Sequence, residues 1–144
     1  MNDPANKPMT FFRFEDLRVY YKALDYGVWV QKTVQQFPDS GKSLAGSFCE
    51  MARRIPMHIA EGSAREKSAF INHLKEGKSA IRACLVLSTL AHRHGFIMQA
   101  EEEDSRNQLM ELTKMLGALI TSLQKSSVGP HDQLEDEFFP ARNW

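Results

Sequence analysis

The segment "IPMHIAEGSAREKSAFINHL", residues 55–74, decides how the chain folds back on itself. It begins apolar, ends a first periodic run at Gly62, and starts a second one at Ser68. Glycine commonly ends a helix in the left-handed conformation, and serine is a typical N-cap residue. The segment therefore predicts two helices joined by a turn at residues 63–67, which we call the basic elbow.

The helices on either side of the elbow each carry one apolar stripe. The upstream helix is predicted from Leu44 to about Gly62, as one continuous helix kinked at Pro56, because its stripe stays in phase across the proline. The downstream helix is predicted from Ser68 to about His94, ending at Gly95. Its stripe comprises Phe70, Ile71, Leu74, Ile81, Leu85 and Ser88.

Two further helices flank this pair. The first is predicted to start after an Asp16 cap and to stop before Pro38, since the residue before proline resists the helical region. It is apolar on two faces, which is more than one monomer can bury. The last helix begins with acidic residues that complement its dipole. A coiled-coil-like seam follows, consisting of Leu109, Leu112, Leu116, Leu119 and Leu123.

The fold class that follows is all-α, an antiparallel up-down-up-down four-helix bundle. We expect a flexible arm at residues 1–13, the bundle at 14–126 and an acidic-aromatic tail at 127–144. The expected core residues are Leu24, Ile55, Ile59, Leu74, Ile81, Leu112, Leu116 and Leu119.

Length and composition fit a single globular domain. The chain has 144 residues, 42% of them hydrophobic, and a formal net charge of zero. Its charge is nevertheless divided: residues 51–94 hold eight Lys/Arg against three Glu, whereas residues 101–144 hold four against nine Asp/Glu. The division indicates a basic face or complementary contacts between subunits. No signal peptide or bilayer-spanning run is visible, so the cytoplasm is expected and no membrane partner.

No catalytic, cofactor or metal chemistry is indicated. His92 and His94 are two positions apart, so they point in different directions on a helix, and no third ligand is near. Cys49 and Cys84 lack a base and an orienting partner, and core packing as reduced thiols is the expectation. We therefore expect no enzyme activity, no cofactor and no metal.

The basic elbow is the best candidate for binding. The elbow and its two flanks carry six cations, which two antiparallel helices could bring together to neutralise phosphates. They are Arg53, Arg54, Arg65, Lys67, Lys75 and Lys78. The alternative is a solvated end paired with the chain's own acidic segments. Just before the elbow, Ile59 is expected to pack inward, Glu61 to form an ion pair with a nearby arginine, and Gly62 to permit the turn.

The stretch "IPMHIAEG", the basic elbow and "FINHL" together resemble a bacterial family. Its members are four-helix-bundle proteins encoded by intervening sequences in large-subunit ribosomal RNA genes, and the accessory variability protein of diversity-generating retroelements is similar to them. "FEDLRVYYKALDYGVWVQKTVQQFP", "GKSAIRACLVLSTLAHRHGFI" and "LTKMLGALITSLQK" resemble the other helices of the family. The chain departs from the pattern at His58, where the family usually has Asn, and at Arg82, where it has an acidic residue.

The resemblance implies a non-enzymatic homo-oligomer, a pentameric ring, associated with RNA or DNA and, in retroelements, with a reverse transcriptase. Aromatic residues of the first helix, Tyr20, Tyr26 and Trp29, are the expected oligomer contacts. Two hypotheses stay open. The chain is a nucleic-acid-binding module that uses the basic elbow, or it is a structural or partner-docking oligomer that ignores nucleic acid.

Overall fold

The computed structural model describes residues 11–126, which form four α-helices and no strand. They are α1 (Arg18–Thr33), α2 (Lys42–Ser63), α3 (Lys67–Arg93) and α4 (Gln99–Lys125). The all-α prediction is confirmed. Most of the predicted arm and the whole predicted tail lie outside the described residues.

The ends of α1 are formed by backbone geometry. A 3-10 turn (Arg13–Asp16) precedes it, and Leu17 takes the N-cap position in an extended conformation with no side-chain cap hydrogen bond. The predicted Asp16 cap is therefore wrong. At the other end, a 3-10 turn (Val34–Gln36) stops the helix before Pro38, as the sequence predicts.

Helix α2 runs without a break through the buried Pro56 and includes Gly62 in its last turn. The predicted left-handed conformation at Gly62 is wrong, because within residues 11–126 only Gly95 has a positive φ, +79°. A Cβ at position 62 would lie 2.7 Å from His73 Cβ and 2.9 Å from Phe70 Cδ1. Glycine is required here because α3 packs closely against α2.

Helix α3 begins after Glu66, so Ser68 is its second residue and not its cap. Its end follows the prediction: Gly95 takes the left-handed conformation, and the Phe96 amide donates to the Ala91 carbonyl at 2.9 Å. At the start of α4, the Met98 amide donates to Glu101 Oε1 at 2.8 Å, which is the half of a capping box that the N3 residue supplies.

The core lies where each helix packs against two others, α1 and α3 each contacting α2 and α4. Seven of the eight predicted core residues are buried, namely Ile55, Ile59, Leu74, Ile81, Leu112, Leu116 and Leu119. The eighth, Leu24, is 38% exposed, so that prediction is wrong. Within residues 11–126 no helix combines the length and hydropathy that crossing a bilayer requires.

Helix α1 buries one of its two apolar faces. The buried residues are Val19, Ala23, Tyr26, Val30 and Thr33. Tyr26 is fully buried, its hydroxyl shares a 2.8 Å hydrogen bond with Ser105 Oγ, and its ring stacks on Trp29. The prediction that Tyr26 forms an oligomer contact is wrong, since the ring sits inside the monomer. The face left exposed carries Tyr21, Leu24 and Val28.

Candidate nucleic-acid interface

The elbow is held by short-range hydrogen bonds. The Arg65 amide donates to the Gly62 carbonyl at 2.9 Å, and Ser63 Oγ donates to the Ala60 carbonyl at 2.9 Å. The Glu61 carboxylate accepts from Arg65 Nε at 2.8 Å and from its Nη2. These hydrogen bonds and the charge of Arg65 lower the pKa of Glu61 below its usual value. The predicted ion pair is present, so Arg65, one of the six candidate cations, already has a carboxylate partner.

Two more of the six predicted cations have partners inside the chain. Arg54 Nη2 lies 3.0 Å from Glu50 Oε2, and Lys67 Nζ donates to the Ser126 carbonyl. Within residues 11–126, Arg53, Lys75 and Lys78 form no ion pair or side-chain hydrogen bond. Three of the six candidate cations therefore already have partners within the chain, two of them carboxylates, as the alternative hypothesis expects in part.

The six cations do not converge on one site. Arg54 lines a groove between α2 and α3 together with His58, Glu61 and His73. Lys78 lines a different groove, between α3 and α4. Position 53 is also ten residues before the end of α2, about 15 Å along the helix axis. The predicted gathering of all six charges at one end of the bundle is wrong, because Arg54 and Lys78 line grooves on different sides of α3.

The groove between α3 and α4, which we call the basic groove, collects a different set of cations. It encloses about 290 Å³, and its rim carries Lys78, Arg82, Arg106 and Lys114. Its floor is apolar, formed by Ile81, Leu85, Leu109 and Met110. None of the described residues that line it is acidic. Arg106 lies 3.9 Å from Glu102 outside the groove, whereas the other three cations form no ion pair within residues 11–126.

Lys75 extends this basic surface. Lys75, Lys78 and Arg82 are spaced by three and four residues on α3, so their side chains follow one line along the helix. Sequence reasoning included the two lysines but missed Arg82, Arg106 and Lys114 as site residues. The spacing on α3 was a usable signal for Arg82. Nothing in the sequence joins it to Arg106 and Lys114, which lie more than twenty residues later on a helix that begins with acidic residues.

A histidine pair occupies the groove between α2 and α3. His58 Nδ1 and His73 Nδ1 are 3.1 Å apart, and the two rings are half-buried. Burial, and secondly the neighbouring His73, lower the pKa of His58. Across residues 11–126, no group of three or more His, Cys, Asp or Glu side chains is arranged to hold a metal ion. His92, considered for that role, lies 3.3 Å from Glu102 Oε1 through its Nδ1.

The two cysteines are free thiols in apolar surroundings. Cys84 is fully buried, and burial raises its pKa to about 12. Burial also raises the pKa of the half-buried Cys49. A thiol of raised pKa is a poor nucleophile at neutral pH, because the thiolate is the reactive form.

The family model for the 23S rRNA-intervening sequence protein matches residues 15–118. The chain belongs to this family. The match covers α1, α2 and α3 completely and α4 as far as residue 118, so every residue that lines the basic groove lies within the family region. The four helices fit the bundle fold that the resemblance implies. No curated protein is significantly similar to the chain.

Proposed function

We propose that this member of the 23S rRNA-intervening sequence family is a non-enzymatic homo-oligomer that binds the phosphate backbone of RNA or DNA. The contacts are made by the basic groove and by Lys75 beside it. The observation that carries the proposal is the set of five cations, Lys75, Lys78, Arg82, Arg106 and Lys114, around a groove whose described lining contains no carboxylate.

The spacing of these cations suits a phosphate backbone. Lys75 and Arg82 are seven residues apart, about 10 Å along α3, which corresponds to the axial rise of about three base pairs of duplex DNA. Four of the five cations, all except Arg106, form no ion pair within residues 11–126, so they can bind phosphates and release counterions without losing an ion pair. Arg54 and Arg65 would have to give up an ion pair to bind a phosphate, because both are already paired with carboxylates.

Oligomerisation is part of the same proposal. Tyr21, Leu24 and Val28 follow a three-and-four spacing on α1 and are 41%, 38% and 53% exposed. A continuous exposed apolar line of this kind is typical of a contact with another protein surface. A second copy of the chain is the proposed occupant, in a pentameric ring as the resemblance implies. Tyr20 and Trp29, both half-buried, flank this line and remain proposed contacts.

The helix directions and the compartment are also proposed. Close approaches pair Gly62 with Phe70, His58 with His73 and Gly77 with Leu116, which supports the antiparallel up-down-up-down arrangement. Free thiols suit the reducing cytoplasm. The competing function is a structural or partner-docking oligomer, including one that docks a reverse transcriptase; it is favoured by the same exposed face of α1.

The test is fluorescence anisotropy with structured RNA and with duplex DNA at low salt. Lys78→Gln with Arg82→Gln should weaken binding by about tenfold and reduce the slope of log K against log salt by about one unit per lost contact. The matched control, Arg54→Gln with Arg65→Gln, removes the same charge from the elbow and should bind nearly as the wild type does. Failure of the wild type to bind either nucleic acid would leave the structural oligomer as the function.

A further inference from the structure

We propose that an acidic-aromatic segment of the same chain, "LEDEFF" at residues 134–139, binds in the basic groove. This inference does not depend on nucleic-acid binding. The groove has two chemical features, a rim of four cations and an apolar floor, and a ligand that satisfies both must be anionic and apolar at once.

The segment has this combination in six residues. Glu135, Asp136 and Glu137 supply three carboxylates, and Phe138 and Phe139 follow directly. Carboxylates pair with lysine and arginine at the rim, whereas phenylalanine rings bury apolar area against Leu85, Leu109 and Met110. By contrast, the acidic start of α4 contains no aromatic residue, and its Glu101 and Glu102 already have partners.

The connecting chain is long enough to reach the groove. The last described residue is Ser126, just after α4, and its carbonyl accepts from Lys67. Lys114, at the near end of the groove, is twelve residues earlier, about 18 Å back along α4. Residues 127–133 can span up to about 23 Å. They include Gly129 and Pro130, a dipeptide typical of turns, which suits the reversal of direction that the path requires.

Attachment to the same chain favours this occupant over a free acidic peptide. Exposed ion pairs stabilise a contact only weakly, so an untethered segment would bind the groove with low affinity. A short connection within the same chain instead gives an effective concentration in the millimolar range. A nucleic acid bound at the same cations would have to displace the segment.

The test is zero-length carbodiimide cross-linking of the full chain at low salt, with the products mapped by mass spectrometry. Amide links should join Lys78 and Lys114 to Glu135, Asp136 or Glu137, and should be rare at Lys32, an exposed lysine on α1. A mixture of ¹⁴N- and ¹⁵N-labelled protein should give links within one isotope. Arg82→Gln with Arg106→Gln should lower the yield by about tenfold.

A charge-matched control separates the groove from general electrostatic attraction. Arg54→Gln with Arg65→Gln removes two charges elsewhere and should leave the yield unchanged. Equal yields at Lys32 and the groove lysines, or a yield indifferent to the groove variant, would overturn the proposal. Links found only between ¹⁴N and ¹⁵N chains would also overturn it, in favour of a second copy as the occupant. None of these readouts involves RNA or DNA, so the result stands whether or not nucleic acid binds.

Discussion

The Nδ1 atoms of His58 and His73 lie 3.1 Å apart across the α2 and α3 interface, close enough to share one hydrogen. One ring must donate and the other accept, so the contact is lost when both rings are fully protonated. His58 therefore places a titratable group at the contact between the two helices.

Stability should consequently depend on pH through His58. Burial and the neighbouring His73 lower its pKa below the ordinary value near 6.5; Glu76 opposes this shift, and Arg54 adds to it. The unfolded chain then binds a proton at a higher pH than the folded protein does. The protonation of His58 therefore has no effect on the free energy of unfolding well above pH 6.5, and it lowers that free energy as the pH falls below this value.

The measurement is urea unfolding of the wild type and of His58→Asn at about pH 8 and about pH 5.5. The wild type should lose more stability between the two conditions than the variant. His94→Asn removes an exposed histidine at the end of α3 and should retain the wild-type loss. An equal loss in wild type and His58→Asn would contradict the prediction.

Gly62→Ala should destabilise the protein by about 1–3 kcal/mol, because the added Cβ would overlap His73 Cβ and Phe70 Cδ1. Gly46 is the matched control, since it is exposed on the same helix with nothing within 4 Å of an added Cβ. Gly46→Ala should stabilise by about 0.5–1 kcal/mol through helix propensity. Chemical denaturation measures both changes. If both alanines stabilise, the close approach of α3 to Gly62 is refuted.

Leu116→Ala should cost about 2–5 kcal/mol, because the side chain is fully buried in the core. Met110→Ala, at a half-exposed position on the same helix, should change stability by no more than about 1 kcal/mol. Chemical denaturation again gives the values. Similar costs at the two positions would mean that α4 is rotated about its axis relative to this structure.

The exposed face of α1 should determine the mass of the protein in solution. We expect light scattering of the wild type at micromolar concentration to give an oligomer, and Leu24→Glu with Val28→Glu to give a monomer, because charge is disfavoured in an apolar contact. Val86→Glu, which charges an exposed apolar position on α3, should leave the mass unchanged. A monomeric wild type would refute the proposed assembly.

The sequence predicted α4 well because this helix has a single apolar face. Its seam from Leu109 to Leu123 is buried as expected. The sequence could not choose between the two faces of α1, because both carry apolar residues. The choice depends on Tyr26, whose hydroxyl needs a partner when buried, and that partner, Ser105, is supplied by α4.

The candidate site was less predictable than the fold. The sequence predicted that Glu61 pairs with a nearby arginine, and the structure shows that this partner is Arg65, four residues later. It could not join Lys78 to Arg106, because their proximity depends on how α3 and α4 are packed. The sequence also could not show why position 62 is glycine. A glycine that ends a helix and a glycine that allows two helices to pack closely look the same in the sequence.

The hydrogen bond between Tyr26 and Ser105 also constrains the order of folding during translation. It joins residues 79 positions apart, whereas the contact of Gly62 with Phe70 needs only a short loop to close. The hairpin of α2 and α3 can therefore form on the ribosome before α4 has emerged. Until position 105 is synthesised, the Tyr26 hydroxyl lacks its partner and the side of α1 that packs on α4 stays uncovered. Nascent chains of this protein should be most dependent on chaperones during that interval.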